Sequence, residues 1–372
     1  MKIGITGADG LLGWHLRARI RAMLPNAECR IAGRAEFADS AALAAFACGL
    51  DALIHCAGIN RGADADVLGI NGGLAARLVA ACESACAGGE MPHLLFANST
   101  HHDRDSAYGQ SKREVAAAFA ALAQRLGGRF SDVILPNVFG EFGRPFHNSA
   151  VATFCHQITH GETPAVNPGG VMELVHAQAV AGQFLELIES GASGQTRVKG
   201  RTVLVEDLAR QIAGLRADYL DLRILPAMTD SHDVALFNTF RSYLFPRHAE
   251  LPLDLHTDAR GTLFEAVRTY PGGQAFLSTS HPGVVRGNHF HTRKFERFLV
   301  CAGEAEIRFR KLFTTEVLTV RVSGRRPVIV DIPTFYTHSI ENVGEGELMT
   351  LFWSNEIYDP SDSDTFPEKV GI

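Results

Sequence analysis

The chain has 372 residues, long for one domain and ample for two, and 46% of them are apolar, enough for more than one core. The formal net charge is −6 with both signs mixed along the chain, and no basic block of the kind that neutralises a phosphate backbone occurs, so nucleic acid is not an expected partner. The 7 cysteines are scattered without a CxxC pair, which predicts reduced thiols in a cytoplasmic protein rather than a disulfide frame.

In chain order, Ile3–Thr6, Cys29–Ala32, Ala52–Cys56, Leu94–Asn98 and Asp132–Pro136 read as buried parallel strands. Leu11–Met23, Ser40–Ala47, Gly73–Ala87 and Ser111–Leu126 read as the helices between them. Such alternation predicts a doubly wound α/β sheet of the Rossmann type. The start at Met1 runs straight into a strand and a glycine turn, without the apolar run of a signal peptide. The alanine-rich stretch up to Ala57 is broken by Asp51 and His55, so no membrane insertion is expected. From about Leu255 the helical period gives way to alternating runs such as Glu304–Arg310 and Glu316–Val322, predicting an all-β antiparallel barrel or sandwich. The proline-containing stretch Pro246–Pro252 suggests a boundary, giving domains 1–247 and 248–372.

Two constellations carry chemistry. Gly7-Ala8-Asp9-Gly10-Leu11-Leu12-Gly13 follows the first strand and opens the first helix. Its glycines permit a tight turn, and the helix N-terminus offers unpaired N–H groups to a pyrophosphate. After the second strand stands Arg34, where an acidic residue would bind a ribose 2′-OH; arginine suits a 2′-phosphate, hence NADPH as cofactor. Tyr108 and Lys112 lie at i, i+4 on one helix face. A phenol there can protonate a carbonyl oxygen during hydride transfer, while the ammonium lowers its pKa and holds the nicotinamide ribose. The preceding strand ends in Asn98-Ser99-Thr100, whose hydroxyls can reach the same oxygen.

These segments resemble the extended short-chain dehydrogenase/reductase family, which acts on nucleotide sugars. Thr6–Gly13 matches its TGxxGxxG motif and His55-Cys56-Ala57-Gly58 its NxAG-type segment, implying Gly7, Asp9, Gly10, Leu11, Arg34, Ala57, Gly58 and Lys112 as cofactor contacts. The resemblance implies Thr100, Tyr108 and Lys112 as the catalytic set, with Ser99 as the alternative hydroxyl. By the same analogy Asn137, in Leu135–Gly140, and Asn148 contact the sugar nucleotide.

In the second domain, Gly283-x5-His289-x-His291-x4-Glu296-x6-Gly303 reproduces the first cupin motif. His289 and His291, at i and i+2, face the same side of a strand. Pro333-Thr334-Phe335-Tyr336-Thr337-His338-x3-Asn342 resembles the second cupin motif, with Phe335 where the family has glycine. His289, His291, Glu296 and His338 are thereby expected to bind a divalent metal, zinc foremost, although the donor set also suits nickel, iron or manganese. The competing reading is a hydrogen-bonded histidine pair in a metal-free barrel.

A reductase joined to a cupin resembles one bifunctional family of capsule and O-antigen synthesis. That family converts a UDP-4-keto-6-deoxy-HexNAc sugar to UDP-2-acetamido-2,6-dideoxy-β-L-talose, on the way to UDP-N-acetyl-L-fucosamine. The resemblance implies C3 epimerisation in the cupin and NADPH-dependent C4 reduction in the first domain, in a homodimer. The alternatives are a single-activity reductase with a structural or regulatory cupin and, more remotely, a non-catalytic NADP-sensing regulator.

Overall fold

A computed structural model describes residues 1–86, 90–258, 261–263, 266–269 and 272–371. The chain forms two compact units: Met1–Gly140 with Gly170–Leu204, and Glu141–Gly169 with Val205–Ile372. Compactness therefore divides the molecule differently from a single cut at 247/248.

In the first unit, β1 (Lys2–Thr6), β2 (Glu28–Ala32), β3 (Ala52–His55), β4 (His93–Ser99) and β5 (Phe130–Leu135) alternate with α1 (Leu11–Met23), α2 (Arg34–Ala38), α3 (Ser40–Ala47), α4 (Asp64–Ala85) and α5 (Ala107–Leu126). After β6 (Asn137–Phe139) and, in the other unit, α6 (Ala150–Thr159), the chain returns through β7 (Val171–His176), α7 (Ala177–Ser190), β8 (Gly194–Arg197) and β9 (Arg201–Leu204). The main sheet has the order β2-β1-β3-β4-β5-β8, all parallel, and β6-β7-β9 form a small second sheet. Strands β1, β3 and β4 are apolar runs because both faces are covered. Ile3, Ile5, Ile54 and Leu95 pack with α1 and α7, while Leu53, Leu94 and Phe96 pack with α3, α4 and α5.

The two expected helices that start late are informative. Helix α4 begins at Asp64, not Gly73, because Asp64 and Asp66 favour the positive helix start while Gly69, Gly72 and Gly73 obscure its period. Helix α5 begins at Ala107 rather than Ser111, since the Ser106 side chain accepts from Gly109 N and caps it. By length and composition α4 is apolar enough to cross a membrane. Its apolar face is occupied here: Val67, Ala75, Leu78, Ala81 and Cys82 are buried, most of them in the cluster shared with α3 and α5.

The second unit continues with α8 (Val205–Arg216), α9 (Ser231–Ser242) and the strands β10 (Glu250–Pro252), β11 (His256–Asp258), β12 (Gly261–Leu263), β13 (Gln274–Ser280), β14 (Val285–Phe290), β15 (Glu296–Ala302), β16 (Glu304–Lys311), β17 (Val317–Ser323), β18 (Val328–Ile332), β19 (Tyr336–Asn342), β20 (Leu348–Ser354) and β21 (Phe366–Pro367). Two antiparallel sheets, β10-β18-β15-β20-β13 and β17-β16-β19-β14-β21, enclose Phe298, Val300, Ile307, Val320, Val330 and Ile340. This is the barrel expected from the alternating pattern. Residues 205–247, assigned from sequence to the first domain, pack on it. The Tyr219 hydroxyl donates to Asp331 at 2.5 Å, Arg297 grips the same buried carboxylate at 2.7 and 2.8 Å, and Arg241 donates to the Ile332 carbonyl at 3.1 Å.

Candidate active site and metal centre

In the first unit the chain turns from β1 into α1 through Gly7, whose φ of +71° favours glycine. A Cβ on Gly7 would meet Ala57 N at 2.7 Å, and one on Gly13 would meet the Gly7 carbonyl at 2.2 Å. These two glycines let α1 and the β3 loop close on β1. Gly10 is exposed and precedes α1 with no side-chain cap, so the first-turn N–H groups are left for an anion. That is the fit a dinucleotide pyrophosphate requires. Asp9 is exposed and 3.5 Å from Arg17; Leu11 is half-buried at the helix start, and Ala57 and Gly58 follow β3. Arg34 is exposed at the start of α2 and makes no ion pair among the described residues.

Beneath this turn, the Thr6 hydroxyl and His55 Nδ1 meet at 2.8 Å, tying β1 to β3. Burial, reinforced by the Lys112 charge, drives the His55 pKa down to about 3, so the imidazole is neutral. Asn71, on α4, went unnoticed in the sequence. Its side chain accepts from Ile59 N at 2.8 Å and donates to Ile59 O at 2.9 Å and to Ser111 Oγ at 3.0 Å. It pins the loop after β3 between α4 and α5. A buried asparagine amid an apolar helical stretch was the available signal.

Tyr108 and Lys112 lie in the first two turns of α5, beside the end of β4. The Lys112 ammonium donates to the Ala97 carbonyl at 2.7 Å and sits 4.5 Å from the Phe96 ring centroid and 5.6 Å from that of Tyr108. Burial lowers its pKa to about 8, partly offset by Cys56 and Asp132. The Tyr108 phenol is raised by burial, and a hydrogen bond with Ser99 pulls it back only in part. The hydroxyl that meets the phenol is Ser99, which also accepts from His101 N at 3.1 Å. Thr100 opens the short 3-10 turn Thr100–Asp103, and its hydroxyl makes no hydrogen bond among the described residues. His101, beyond Ser99, lies edge-on to Tyr108 with centroids 6.3 Å apart.

Asn137, in the first unit, is exposed at the start of β6 and donates to the Glu173 carbonyl at 3.2 Å. Asn148, in the second unit, is exposed with φ +58°.

The four expected metal ligands converge in the second unit. One ligand atom from each of His289, His291, Glu296 and His338 lies within 4.8 Å of the others. The cluster bridges both sheets: His289 on β14 and His338 on β19 come from one, Glu296 at the start of β15 from the other. A β-bulge in β14 between Gly287 and His289 sets the register, and its extra residue Asn288 has φ +58°. The Nε2 atoms of all three histidines are buried without a hydrogen-bond partner. The Nδ1 atoms of His291 and His338 face the carbonyls of Asp364 at 2.6 Å and Tyr336 at 3.3 Å. Carbonyls only accept, so Nδ1 carries the proton and the Nε2 lone pair is left for the cluster. Glu296 Oε2 lies 3.3 Å from His291 Nε2 and 3.5 Å from His338 Nε2. Three outward-starved imidazole lone pairs and an ionised carboxylate fit a divalent ion.

Phe335, at the glycine position of the motif, has φ +62° and is fully buried. It keeps the backbone the motif needs: its N–H donates to the His291 carbonyl at 2.8 Å, and its ring packs on Phe142 with centroids 6.4 Å apart. A cavity of about 200 Å³ opens beside the cluster, lined by His289, Lys294, Glu296, Phe276 and Tyr358 among others.

Residues 3–200 match the NAD dependent epimerase/dehydratase family, and residues 256–366 match the polysaccharide biosynthesis C-terminal domain. The chain belongs to the NAD dependent epimerase/dehydratase family. Along its full length this member is 31% identical over 384 residues to a Pseudomonas aeruginosa protein named UDP-2-acetamido-2,6-beta-L-arabino-hexul-4-ose reductase, covering 100% of this chain and 99% of that one. The crystal structure of the capsular polysaccharide assembling protein CapF from Staphylococcus aureus is 28% identical with a TM-score of 0.60, covering 99% of this chain and 100% of that one. UDP-N-acetylglucosamine 4-epimerase from Bacillus cereus shares the fold, with a TM-score of 0.52 at 17% identity over 67% of this chain and 97% of its own. The family's NAD(P) chemistry and the paired C-terminal domain make this chain an oxidoreductase/epimerase-type enzyme of polysaccharide biosynthesis.

Proposed function

We propose that the enzyme inverts C3 of a UDP-4-keto-6-deoxy-HexNAc sugar in the cupin barrel and then reduces C4 in the Rossmann unit with NADPH, on the pathway to UDP-N-acetyl-L-fucosamine. The full-length similarity to the hexulose reductase supports this substrate class. The observation that carries the reductase half is the Lys112 ammonium 5.6 Å from the Tyr108 ring centroid and anchored on the Ala97 carbonyl at 2.7 Å, near the end of β4. Bound NADPH supplies the hydride to C4. Tyr108 gives its proton to the C4 oxygen as the hydride arrives, Ser99 hydrogen-bonds that oxygen, and Lys112 holds the nicotinamide ribose. Arg34 pairs with the 2′-phosphate, the Gly7–Gly13 turn receives the pyrophosphate, and Asn137 and Asn148 contact the sugar nucleotide.

In the barrel, a metal ion on His289, His291, Glu296 and His338 supplies Lewis acidity beside the sugar. The 4-keto group acidifies C3–H; loss of that proton and its return from the opposite face invert the centre. Reduction removes the acidifying carbonyl, so inversion precedes it. The enzyme works in the cytoplasm as a homodimer.

The test is to incubate the UDP-4-keto sugar with the enzyme in deuterated water, with and without NADPH, and follow C3 and C4 by NMR. The expected result for Tyr108→Phe is loss of C4 reduction by about 10²- to 10⁴-fold with deuterium still entering C3. Absence of deuterium at C3 in the wild-type product removes the epimerase half and leaves a single-activity reductase.

A further inference from the structure

The link between the metal ligands His291 and Glu296 is the four-residue turn Thr292–Phe295. This turn makes no regular ladder of its own; its N–H groups are taken up by a segment some seventy positions later. The Asp364 carboxylate, 5% exposed, accepts from Thr292 N at 3.2 Å, Thr292 Oγ1 at 2.7 Å, Arg293 N at 2.8 Å and Lys294 N at 2.6 Å. The fourth N–H, of Phe295, donates to Asn355 Oδ1 at 2.9 Å. The carbonyl of the same Asp364 accepts from His291 Nδ1 at 2.6 Å. One residue therefore sets both the tautomer of a ligand and the curvature of the turn that spaces it from the next ligand.

Asp364 itself is held in place. It has φ +44°, a left-handed conformation that a non-glycine residue keeps only when its surroundings impose it. Its neighbours Ser363 (carbonyl) and Thr365 (hydroxyl) both accept from Lys294 Nζ at 3.1 Å. Beyond it β21 pairs with β14 beside His289, and Arg310 grips the chain end through the carbonyls of Lys369 and Val370, each at 2.7 Å. The C-terminal segment is thus built into the floor of the cluster rather than trailing from the barrel.

We propose that Asp364 is a positioning residue of the metal centre, fixing His291 and the Thr292–Phe295 turn so that three imidazoles and Glu296 meet at one ion. This rests on reading the four-residue cluster as a metal site. The same contacts place the Lys294 side chain at the cavity wall, 3.8 Å from Glu296. Loss of the Asp364 carboxylate releases three backbone donors at once, while loss of an outer partner of a metal-bound histidine costs about 10- to 100-fold in affinity.

The experiment is a cobalt(II) titration of the full-length, metal-stripped protein, read by visible absorbance, with far-UV circular dichroism and NADPH binding as checks on folding. Asp364→Ala is expected to weaken cobalt binding by about tenfold or more and to alter the absorption bands, with NADPH binding unchanged. Glu356→Gln, which breaks the Arg293–Glu356 pair at 2.8 and 3.0 Å on the same segment, is expected to bind cobalt as the wild type does. Asp364→Asn keeps one acceptor but turns an amide toward the Arg293 and Lys294 donors; it decides the matter if the alanine variant does not fold, and is expected to weaken binding in the same direction. Wild-type affinity in a folded Asp364→Ala or Asp364→Asn protein, or an equal loss in Glu356→Gln, overturns the positioning role. A wild-type protein that takes up no cobalt overturns the metal reading itself, before any variant is compared.

Discussion

The Ser99 hydroxyl lies against the Tyr108 phenol, where the end of β4 meets the first turn of α5. Ser99→Ala is therefore expected to lower kcat for C4 reduction by about 100-fold, the scale for one lost donor at a developing oxyanion. Thr100→Ala should leave it unchanged. Stopped-flow NADPH consumption distinguishes them; a larger loss in the Thr100 variant would return that residue to the catalytic set.

Lys112 gives activity and stability opposite dependences above neutral pH. Its folded pKa is lowered to about 8 by burial, against an ordinary value of 10.5. As pH rises through about 8 the native ammonium is lost, so kcat/KM for reduction should fall with an apparent pKa near that value. In the window from about 8 to 10.5 the unfolded chain binds more protons than the native one, so this residue makes stability rise with pH. Urea midpoints and initial rates across pH 7 to 10, with Lys112→Met as reference, test both signs.

Acid should act on the Rossmann sheet through His55. Its folded pKa of about 3 lies below the ordinary value of 6.5, so between those values the unfolded state takes up a proton the native state refuses. Stability attributable to His55 is full above pH 6.5 and declines as pH falls, by about 2 kcal/mol at pH 5. His55→Gln can keep a hydrogen bond to Thr6 but does not titrate. Its denaturation free energy should lose that much less between pH 7 and 5; an identical slope would mean the imidazole is not the responsible group.

The proposed pairing of Arg34 with a 2′-phosphate is tested by cofactor preference. With Arg34→Ala the KM for NADPH should rise about tenfold, near 1.4 kcal/mol, while that for NADH stays constant. Equal changes for both cofactors would assign the arginine to the surface.

Most of the Rossmann sheet was legible because buried parallel strands are short apolar runs with glycine turns between them, as in Lys2–Gly7. The four candidate metal ligands were legible because they fall on two cupin-like motifs, in the first of which His289 and His291 stand at i, i+2. What remained hidden depends on distant contacts or on competing neighbours. Ser99 and Thr100 are adjacent hydroxyls, and only the short turn Thr100–Asp103 decides which one meets Tyr108. Asp364 lies 73 positions from His291 and belongs to neither motif. Phe335 reads as a departure from a glycine motif, yet its φ of +62° preserves the backbone shape and spends the side chain on packing.

The covalent path crosses between the two compact units at 140/141, 169/170 and 204/205. No single proteolytic or genetic cut can therefore yield both pieces intact. A fragment beginning at residue 248 would leave behind Tyr219 and Arg241, uncovering Asp331 and Arg297 to water and stripping Phe295 of its Phe237 neighbour. Dissecting this enzyme calls for point variants in the whole polypeptide rather than for excised halves.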